Sequence, residues 1–142
     1  ELTRGMVVTI LYRMEGEPLT AGAKTFSDVK AGLYYSKAVD WAAEKNIVNG
    51  FSDGTFKPEQ PVTREQLAAI ISRYAVSKGI VVYDAANALA STDVVSAWAR
   101  SNVAWAAAEG ILTKTETTNA TKTASRAEVA TAIYTYLTKT AK

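Results

Sequence analysis

One pattern occurs three times in the chain, and it constrains the fold more than any other feature. A hydroxyl residue suited to begin a helix is followed by an arginine and then by apolar residues at i, i+3, i+4 and i+7 spacing. Gln66 follows three residues after the second hydroxyl residue, which indicates a capping box. The pattern predicts three equivalent helices. Their hydroxyl residues are Thr3, Thr63 and Ser125, and their first helical residues are Arg4, Arg64 and Arg126.

A second helix recurs between these three. The stretch "FSDVKAGLYYSKAVDWAAEKNIVNG" begins at residue 26, and "STDVVSAWARSNVAWAAAEGILTK" begins at residue 91. Asn46 of the first stretch aligns with Gly110 of the second. Asn and Gly are the residues that best tolerate the left-handed conformation in which helices end. The repeating unit is therefore a short helix, a loop and a longer helix.

The repeats predict one mainly α-helical domain over residues 1–142. A unit of this kind cannot bury its own apolar stripe, so neighbouring units must stack. Residues 1–18 are the second half of repeat 1, residues 26–79 are repeat 2, and residues 91–142 are repeat 3, whose loop is degenerate. The first helix of repeat 1 is expected upstream of Glu1. Residues 80–83 are expected to form at most a short strand or an extended segment.

The composition excludes several classes of function. The net charge of +2 does not favour nucleic acid as a partner, and no apolar run is long enough for membrane insertion. The chain has no cysteine and no histidine, which removes thiolate chemistry and the commonest metal ligand and general base. The carboxylates form no repeated pair with an obvious pocket, so no catalytic residues, metal or cofactor are expected.

The second repeat closely resembles the S-layer homology (SLH) family. Residues 26–29 read Phe-Ser-Asp-Val, residues 41–42 read Trp-Ala, and residues 47–50 read Ile-Val-Asn-Gly. Residues 53–58 read Asp-Gly-Thr-Phe-Lys-Pro, and residues 63–66 read Thr-Arg-Glu-Gln, where the family has Thr-Arg-Ala-Glu. With the half repeat and the third repeat, the resemblance covers nearly the whole chain.

The resemblance implies a pseudo-threefold helical prism of tandem helix-loop-helix repeats, of which the first is incomplete here. It implies a non-catalytic, extracellular anchoring module in a bacterial cell wall or S-layer. The ligand it implies is a secondary cell-wall polysaccharide, a peptidoglycan-linked glycan that often carries a pyruvylated amino sugar. That ligand would lie in grooves between adjacent repeats, with the arginine of the Thr-Arg motif as a main contact. The matching residues are Arg64, Arg4 and Arg126.

Physical chemistry agrees with an anion at these arginines. The start of a helix offers free N–H groups and partial positive charge, and a guanidinium adds a planar fork of donors. A ketal-linked pyruvate carries one carboxylate that suits this fork. Two other interpretations stay open for Arg64, namely an ion pair with Asp28 or Asp93 of a neighbouring repeat, and a solvated surface charge.

Further candidate ligand residues lie at the ends of the predicted elements. Asp28 and Asp93 are expected to cap the short helix or its preceding turn, with sugar hydroxyls as alternative partners. Tyr34 and Trp98, which align with each other, are candidate groove-wall residues. The remaining candidates are Thr63, Asn49, Gly50, Asp53 and Gly54.

Other residues that invite a functional interpretation are expected to be structural. Trp41 and Trp105 lie beside valines within the short helices, so a place in the core is favoured over sugar stacking. Residues 52–56 lack the alternating ligands of a calcium loop, so they are expected to form a turn.

Two departures from the family pattern weaken particular repeats. Gly5 and Met6 stand where repeat 2 has Glu65 and Gln66, so the capping box of the first long helix is expected to be lost. Residues 114–125 lack the Asp-Gly turn, the Phe and the Pro of the loop in repeat 2.

The incomplete first repeat and the degenerate third repeat favour an alternative function, a structural or protein-docking module that has lost carbohydrate binding. The intact pairs Thr63-Arg64 and Asp53-Gly54 disfavour it. The incomplete first repeat also leaves open self-association in which a partner chain completes it.

Overall fold

The computed structural model describes residues 1–22 and 26–140. In this part of the chain there are six α-helices and no strand, so the predicted mainly helical class is confirmed. None of the helices described is both long and apolar enough to cross a membrane. The helices are α1 (Arg4–Met14), α2 (Ser36–Glu44), α3 (Arg64–Ser77), α4 (Arg100–Ala108), α5 (Lys114–Thr117) and α6 (Arg126–Thr140). Two short 3₁₀ turns lie at Ala86–Ala88 and Ala97–Ala99.

The chain divides into two compact units. The first unit is Leu2–Pro61, and the second begins at Val62 and also contains Glu1. In the first unit α1 packs against α2, and in the second α3 packs against α4 and α6. Each unit therefore combines the long helix of one sequence repeat with the short helix of the next.

The core of the first unit lies between α1 and α2. The rings of Tyr12 and Trp41 lie 5.6 Å apart, over buried aliphatic side chains that include Leu11 and Val39. Gly5 allows α1 to lie close to the loop that contains Pro58, because a Cβ at Gly5 would lie 3.0 Å from the carbonyl oxygen of Pro58.

The core of the second unit is built by α3, α4 and α6. Leu67 and Ile71 of α3 are buried, and the Tyr74 ring lies 5.7 Å from that of Tyr136 in α6. Trp41 of the first unit and Trp105 of the second are both buried, so their predicted core role is confirmed.

The helix starts follow the predicted capping pattern, with one correction. At α3 the Thr63 side chain accepts from Gln66 N, and the Gln66 side chain accepts from Thr63 N. At α1 the capping box predicted to be lost is present. The Thr3 side chain accepts from Met6 N, and the Met6 sulfur accepts from Thr3 N at 3.5 Å. A thioether is a weak acceptor, but it reaches the same donor as a glutamine oxygen does.

The helix ends confirm the predicted equivalence of Asn46 and Gly110. Asn46 has φ 60° after α2, and Gly110 has φ 74° after α4. One predicted detail is wrong. Met14, the i+7 residue of the apolar stripe that begins at Val7, is exposed rather than buried. Residues 80–83 form no strand, which agrees with the expectation of at most a short strand or an extended segment, and Val81 is largely exposed.

Two glycines of one loop give a matched test of this packing. Gly50 (φ 75°) and Gly54 (φ 84°) both have left-handed backbones, but an added Cβ at Gly50 would lie 2.3 Å from the Phe26 ring, whereas at Gly54 it meets open space. We expect Gly54→Ala to lower the free energy of unfolding by about 1 kcal/mol. Gly50→Ala should lower it by roughly 2 kcal/mol more, because the ring must also move. Urea unfolding measures both, and equal losses would contradict the steric account.

Candidate functional site

Arg64 is held in an ion pair inside the second unit. Its Nε donates to Glu128 Oε1 at 3.0 Å and its Nη2 to Glu128 Oε2 at 2.7 Å, which is a bidentate pair. The two side chains are only 11% and 23% exposed. These hydrogen bonds raise the pKa of Arg64 and lower that of Glu128 relative to their ordinary values. The predicted alternative of an ion pair is therefore present, but Asp28 and Asp93 were the wrong partners.

The N–H groups at the start of α3 are all occupied. Arg64 N donates to Lys122 O at 2.9 Å and Glu65 N to Ala120 O at 2.8 Å. Gln66 N donates to the Thr63 side chain, and the N–H of the next residue donates to Thr63 O. The expectation of free backbone donors beside Arg64 is therefore wrong, because the loop of repeat 3 supplies the acceptors.

Arg64 nevertheless keeps part of its hydrogen-bonding capacity. A guanidinium has five N–H donors. Three of them are used, two by Glu128 and one by Asn119 O, which lies 3.2 Å from Nη1. The bond to Asn119 is at the protein surface. The other two N–H donors, one on Nη1 and one on Nη2, have no acceptor among residues 1–22 and 26–140. We call these two donors the available edge of Arg64. An anion at Arg64 would be bound through this edge.

Arg4 and Arg126 have different surroundings from Arg64. The guanidinium of Arg4 is buried, lies 4.8 Å and 4.7 Å from the ring centres of Phe51 and Phe56, and donates from Nε to Phe56 O at 2.9 Å. The Arg126 side chain is exposed and makes no hydrogen bond or ion pair within the described chain. One sequence pattern thus gives one arginine enclosed by aromatic rings, one ion-paired and one solvated.

The two motif aspartates organise different backbone segments. Asp28 accepts from Phe56 N at 2.9 Å and from Lys57 N at 2.8 Å, so it holds the loop before α3 rather than capping the short helix or its preceding turn as predicted. Asp93 accepts from Ala90 N at 2.8 Å, which confirms a cap on its preceding turn. This bond, aided by Lys114 at 3.1 Å, lowers the pKa of Asp93 below its ordinary value.

The loop residues predicted as ligand contacts shape a turn. Asp53 accepts from the backbone and hydroxyl of Thr55, and the hydroxyl bond lowers the pKa of Asp53. The carbonyl of Gly54 accepts from Ser27 N at 3.0 Å. Gly50 packs against Phe26, and Asn49 is exposed. Residues 52–56 thus form the predicted turn. In the described ranges no three acidic side chains come together as a metal site would require.

The aligned aromatic residues lie at the surface as expected for groove walls. Tyr34 and Trp98 are both 54% exposed, each just before a short helix. The candidate residues are divided between the two units. Arg4, Asp28, Tyr34, Asn49, Gly50, Asp53 and Gly54 belong to the first unit, and Thr63, Arg64, Asp93, Trp98 and Arg126 belong to the second.

Several residues of these surroundings were missed from the sequence. Glu128 occupies the third position of α6 and completes a capping box with Ser125, a local signal that does not reveal its pairing with a residue 64 positions away. The helix α5 was missed although Thr113 and Glu116 have capping-box spacing. The rings that enclose Arg4 have no local signal.

The chain is similar to several bacterial proteins. Residues 25–68 match the family model described as S-layer homology domain. The chain is 24% identical over 115 residues to the cellulosome-anchoring protein of Acetivibrio thermocellus, a match that covers 78% of this chain and 26% of that protein. It is 37% identical over 145 residues to an amylopullulanase of Thermoanaerobacterium thermosulfurigenes, which covers 97% of this chain and 8% of that protein. It is 29% identical over 72 residues to S-layer protein EA1 of Bacillus anthracis, which covers 51% of this chain and 8% of that protein. The chain therefore spans about a quarter or less of the length of these relatives.

The Arg64–Glu128 pair gives a pH-dependent contribution to stability. Since the pKa of Glu128 is lowered in the folded protein, its ionised form stabilises the fold above its ordinary pKa of 4.5, and this contribution is lost as the pH falls toward the folded-state pKa. Glu128→Gln keeps an acceptor for the capping box and removes the charge. At pH 7 it should lower the free energy of unfolding by about 1–2 kcal/mol. Denaturation at several pH values should show this difference shrinking below pH 4.5, and a constant difference would contradict the ion-pair account.

Proposed function

The chain belongs to the S-layer homology family and carries a cell-surface anchoring module, and from this premise we propose that it attaches its parent protein to the cell wall by binding secondary cell-wall polysaccharide. The predicted family and the predicted location at the bacterial cell surface are confirmed by the relatives. Domains of this family are non-catalytic anchoring modules, and the proposal assigns no catalysis to residues 1–142.

The ligand we propose is the pyruvylated amino sugar of that polysaccharide. The observation that carries the proposal is the surface edge of Arg64, whose two N–H donors remain available beside Asn119. A planar pair of donors suits a carboxylate. The other proposed contacts with the polysaccharide as a whole are those of the sequence pattern: Arg4, Arg126, Thr63, Asp28, Asp93, Asn49, Gly50, Asp53, Gly54, Tyr34 and Trp98.

Among the three arginines we rank Arg64 first. Arg4 is buried between two rings, so its removal is expected to disturb the fold before it tests a ligand contact. Arg126 is exposed without the neighbouring groups that would orient it. The finer architecture, a pseudo-threefold prism of repeats at residues 1–18, 26–79 and 91–142 with ligand grooves between them, belongs to the same proposal.

One observation favours the alternative of a structural or protein-docking module. Glu128 already supplies a carboxylate to Arg64 with bidentate geometry, so the arginine has a complete role in holding α3 and α6 together. A glycan carboxylate would share Arg64 with Glu128 or displace it. In the anchoring function Arg64 also binds the glycan, whereas in the structural alternative it only forms the ion pair with Glu128.

Binding to purified cell-wall sacculi, with and without chemical removal of the secondary polysaccharide, tests the proposal. The wild type should bind only sacculi that retain the polysaccharide. Arg64→Ala should weaken binding about tenfold, equivalent to about 1.4 kcal/mol. Arg64→Lys should restore part of it, because an ammonium lacks the bidentate fork.

Glu128→Gln is the matched control, because it breaks the same ion pair and leaves the arginine in place. We expect it to bind sacculi at least as well as the wild type. If Glu128→Gln and Arg64→Ala lose binding equally, Arg64 acts through the fold and the structural alternative is favoured. A wild type that binds neither preparation would overturn the proposed function.

A further inference from the structure

A cleft in the first unit lies between the end of α1 and the turn before α2. Its volume is about 350 Å³, at the lower end of the roughly 300–1,000 Å³ found for small-molecule sites. Its lining includes the aromatic side chain of Tyr34 and two residues of opposite charge, Glu17 and Lys37. The cleft is at the C-terminal end of α1, whereas Arg4 of the motif is at the N-terminal end. It is therefore separate from the motif arginine of the same unit.

One wall of the cleft is fixed by the end of α1. Gly16 (φ 81°) and Glu17 (φ 54°) both have left-handed backbones, a conformation that costs a residue other than glycine about 1 kcal/mol. Glu17 N donates to Tyr12 O at 3.0 Å, and the Tyr12 hydroxyl donates to Pro18 O at 2.9 Å. The backbone that carries the Glu17 carboxylate is thus held by two bonds to one buried residue.

The opposite wall is fixed by Ser36. Its hydroxyl accepts from Leu33 N at 3.0 Å and donates to Lys30 O, which closes the turn that carries Tyr34. The Tyr34 ring contacts the buried Tyr35 ring edge-to-face, with 5.0 Å between their centres, and remains 54% exposed. A fixed, exposed ring presents apolar surface at little entropic cost to a ligand.

The chemistry of this lining favours an uncharged ligand with hydroxyl groups. Glu17 is an acceptor and Lys37 is a donor, and their charges cancel. The cleft thus lacks the excess positive charge that would select a carboxylate. A sugar ring has an apolar C–H face that suits an aromatic ring, and its hydroxyls both donate and accept. Trp98, at the same position of the next repeat, has the same exposure as Tyr34, which indicates that the repeat keeps an aromatic surface here.

We propose that this cleft binds an uncharged sugar unit of the wall glycan, with the sugar face on Tyr34 and its hydroxyls on Glu17 and Lys37. The proposal rests on the proposed function and extends it. Arg64 of the second unit is assigned the anionic sugar, and the cleft of the first unit is assigned an uncharged sugar. The two contacts differ in their response to salt, because only the first depends on a net charge.

Calorimetric titration of the full chain with soluble polysaccharide released from sacculi tests this assignment. Tyr34→Ala should weaken binding about tenfold, and Tyr34→Phe should bind as the wild type does. Lys37→Ala should weaken binding severalfold. Tyr134→Ala and Lys45→Ala, which remove exposed side chains outside the cleft, are the matched controls and should change affinity less than about twofold. The factor by which Tyr34→Ala weakens binding should be the same at about 50 mM and about 500 mM NaCl. The factor by which Arg64→Ala weakens binding should be smaller at the higher salt concentration.

Each other result overturns the assignment in a recognisable way. If the wild type binds and Tyr34→Ala behaves like Tyr134→Ala, the cleft is not a subsite, while the proposed function stands. If the Tyr34→Ala factor disappears at high salt, the cleft contacts a charged group, and the neutral-sugar assignment is wrong. If the wild type does not bind the polysaccharide, this inference and the proposed function fail together. Thermal unfolding of the Tyr34, Lys37, Tyr134 and Lys45 variants, expected within about 2 °C of the wild type, shows that the fold is retained.

Discussion

The structure depends on how the first N–H groups of its long helices are satisfied. A helix start leaves four backbone donors without partners in the helix itself. In α3 the cap residue supplies two acceptors, and the loop that precedes α6 supplies the other two, at Lys122 and Ala120. In α1 the corresponding acceptors are Gln60 and Pro58, from the loop that precedes α3. The starts of α1 and α3 are thus each completed by the loop of the following repeat, so the same arrangement occurs once in each unit.

This constraint changes the role of the motif arginine. Once the backbone donors are occupied, the helix start no longer offers the cluster of free N–H groups on which anion sites of this kind rely. The arginine must then find partners of its own, and its two described solutions differ. Arg4 is enclosed by Phe51 and Phe56, whereas Arg64 is paired with Glu128. A guanidinium suits both settings because it stacks on rings and also forms a planar fork of donors.

The sequence predicted the parts of this fold that depend on local chemistry. Helix starts at Arg4, Arg64 and Arg126 follow from hydroxyl caps, and the equivalence of Asn46 and Gly110 follows from backbone preference. Contacts between distant segments could not be predicted in the same way, because no local preference specifies them. The partner of Arg64 is one example, and the loop held by Asp28 is another. The capping role of Met6 was missed because a thioether sulfur is a weak hydrogen-bond acceptor. The sulfur acts as one here because it lies close to the N–H group of Thr3. For the candidate site, the residue types could be predicted, but the available edge of Arg64 could not.

The offset between sequence repeats and compact units has a consequence for how such a chain can be cut. A fragment that follows the sequence repeat, residues 26–79, contains α2 without α1 and α3 without α4. A cut near residue 61 instead keeps both helix pairs intact. Chains of this design are therefore expected to yield folded fragments when they are cut before a hydroxyl cap, within the apparent repeat. The segment that can fold by itself is out of phase with the one that an alignment displays.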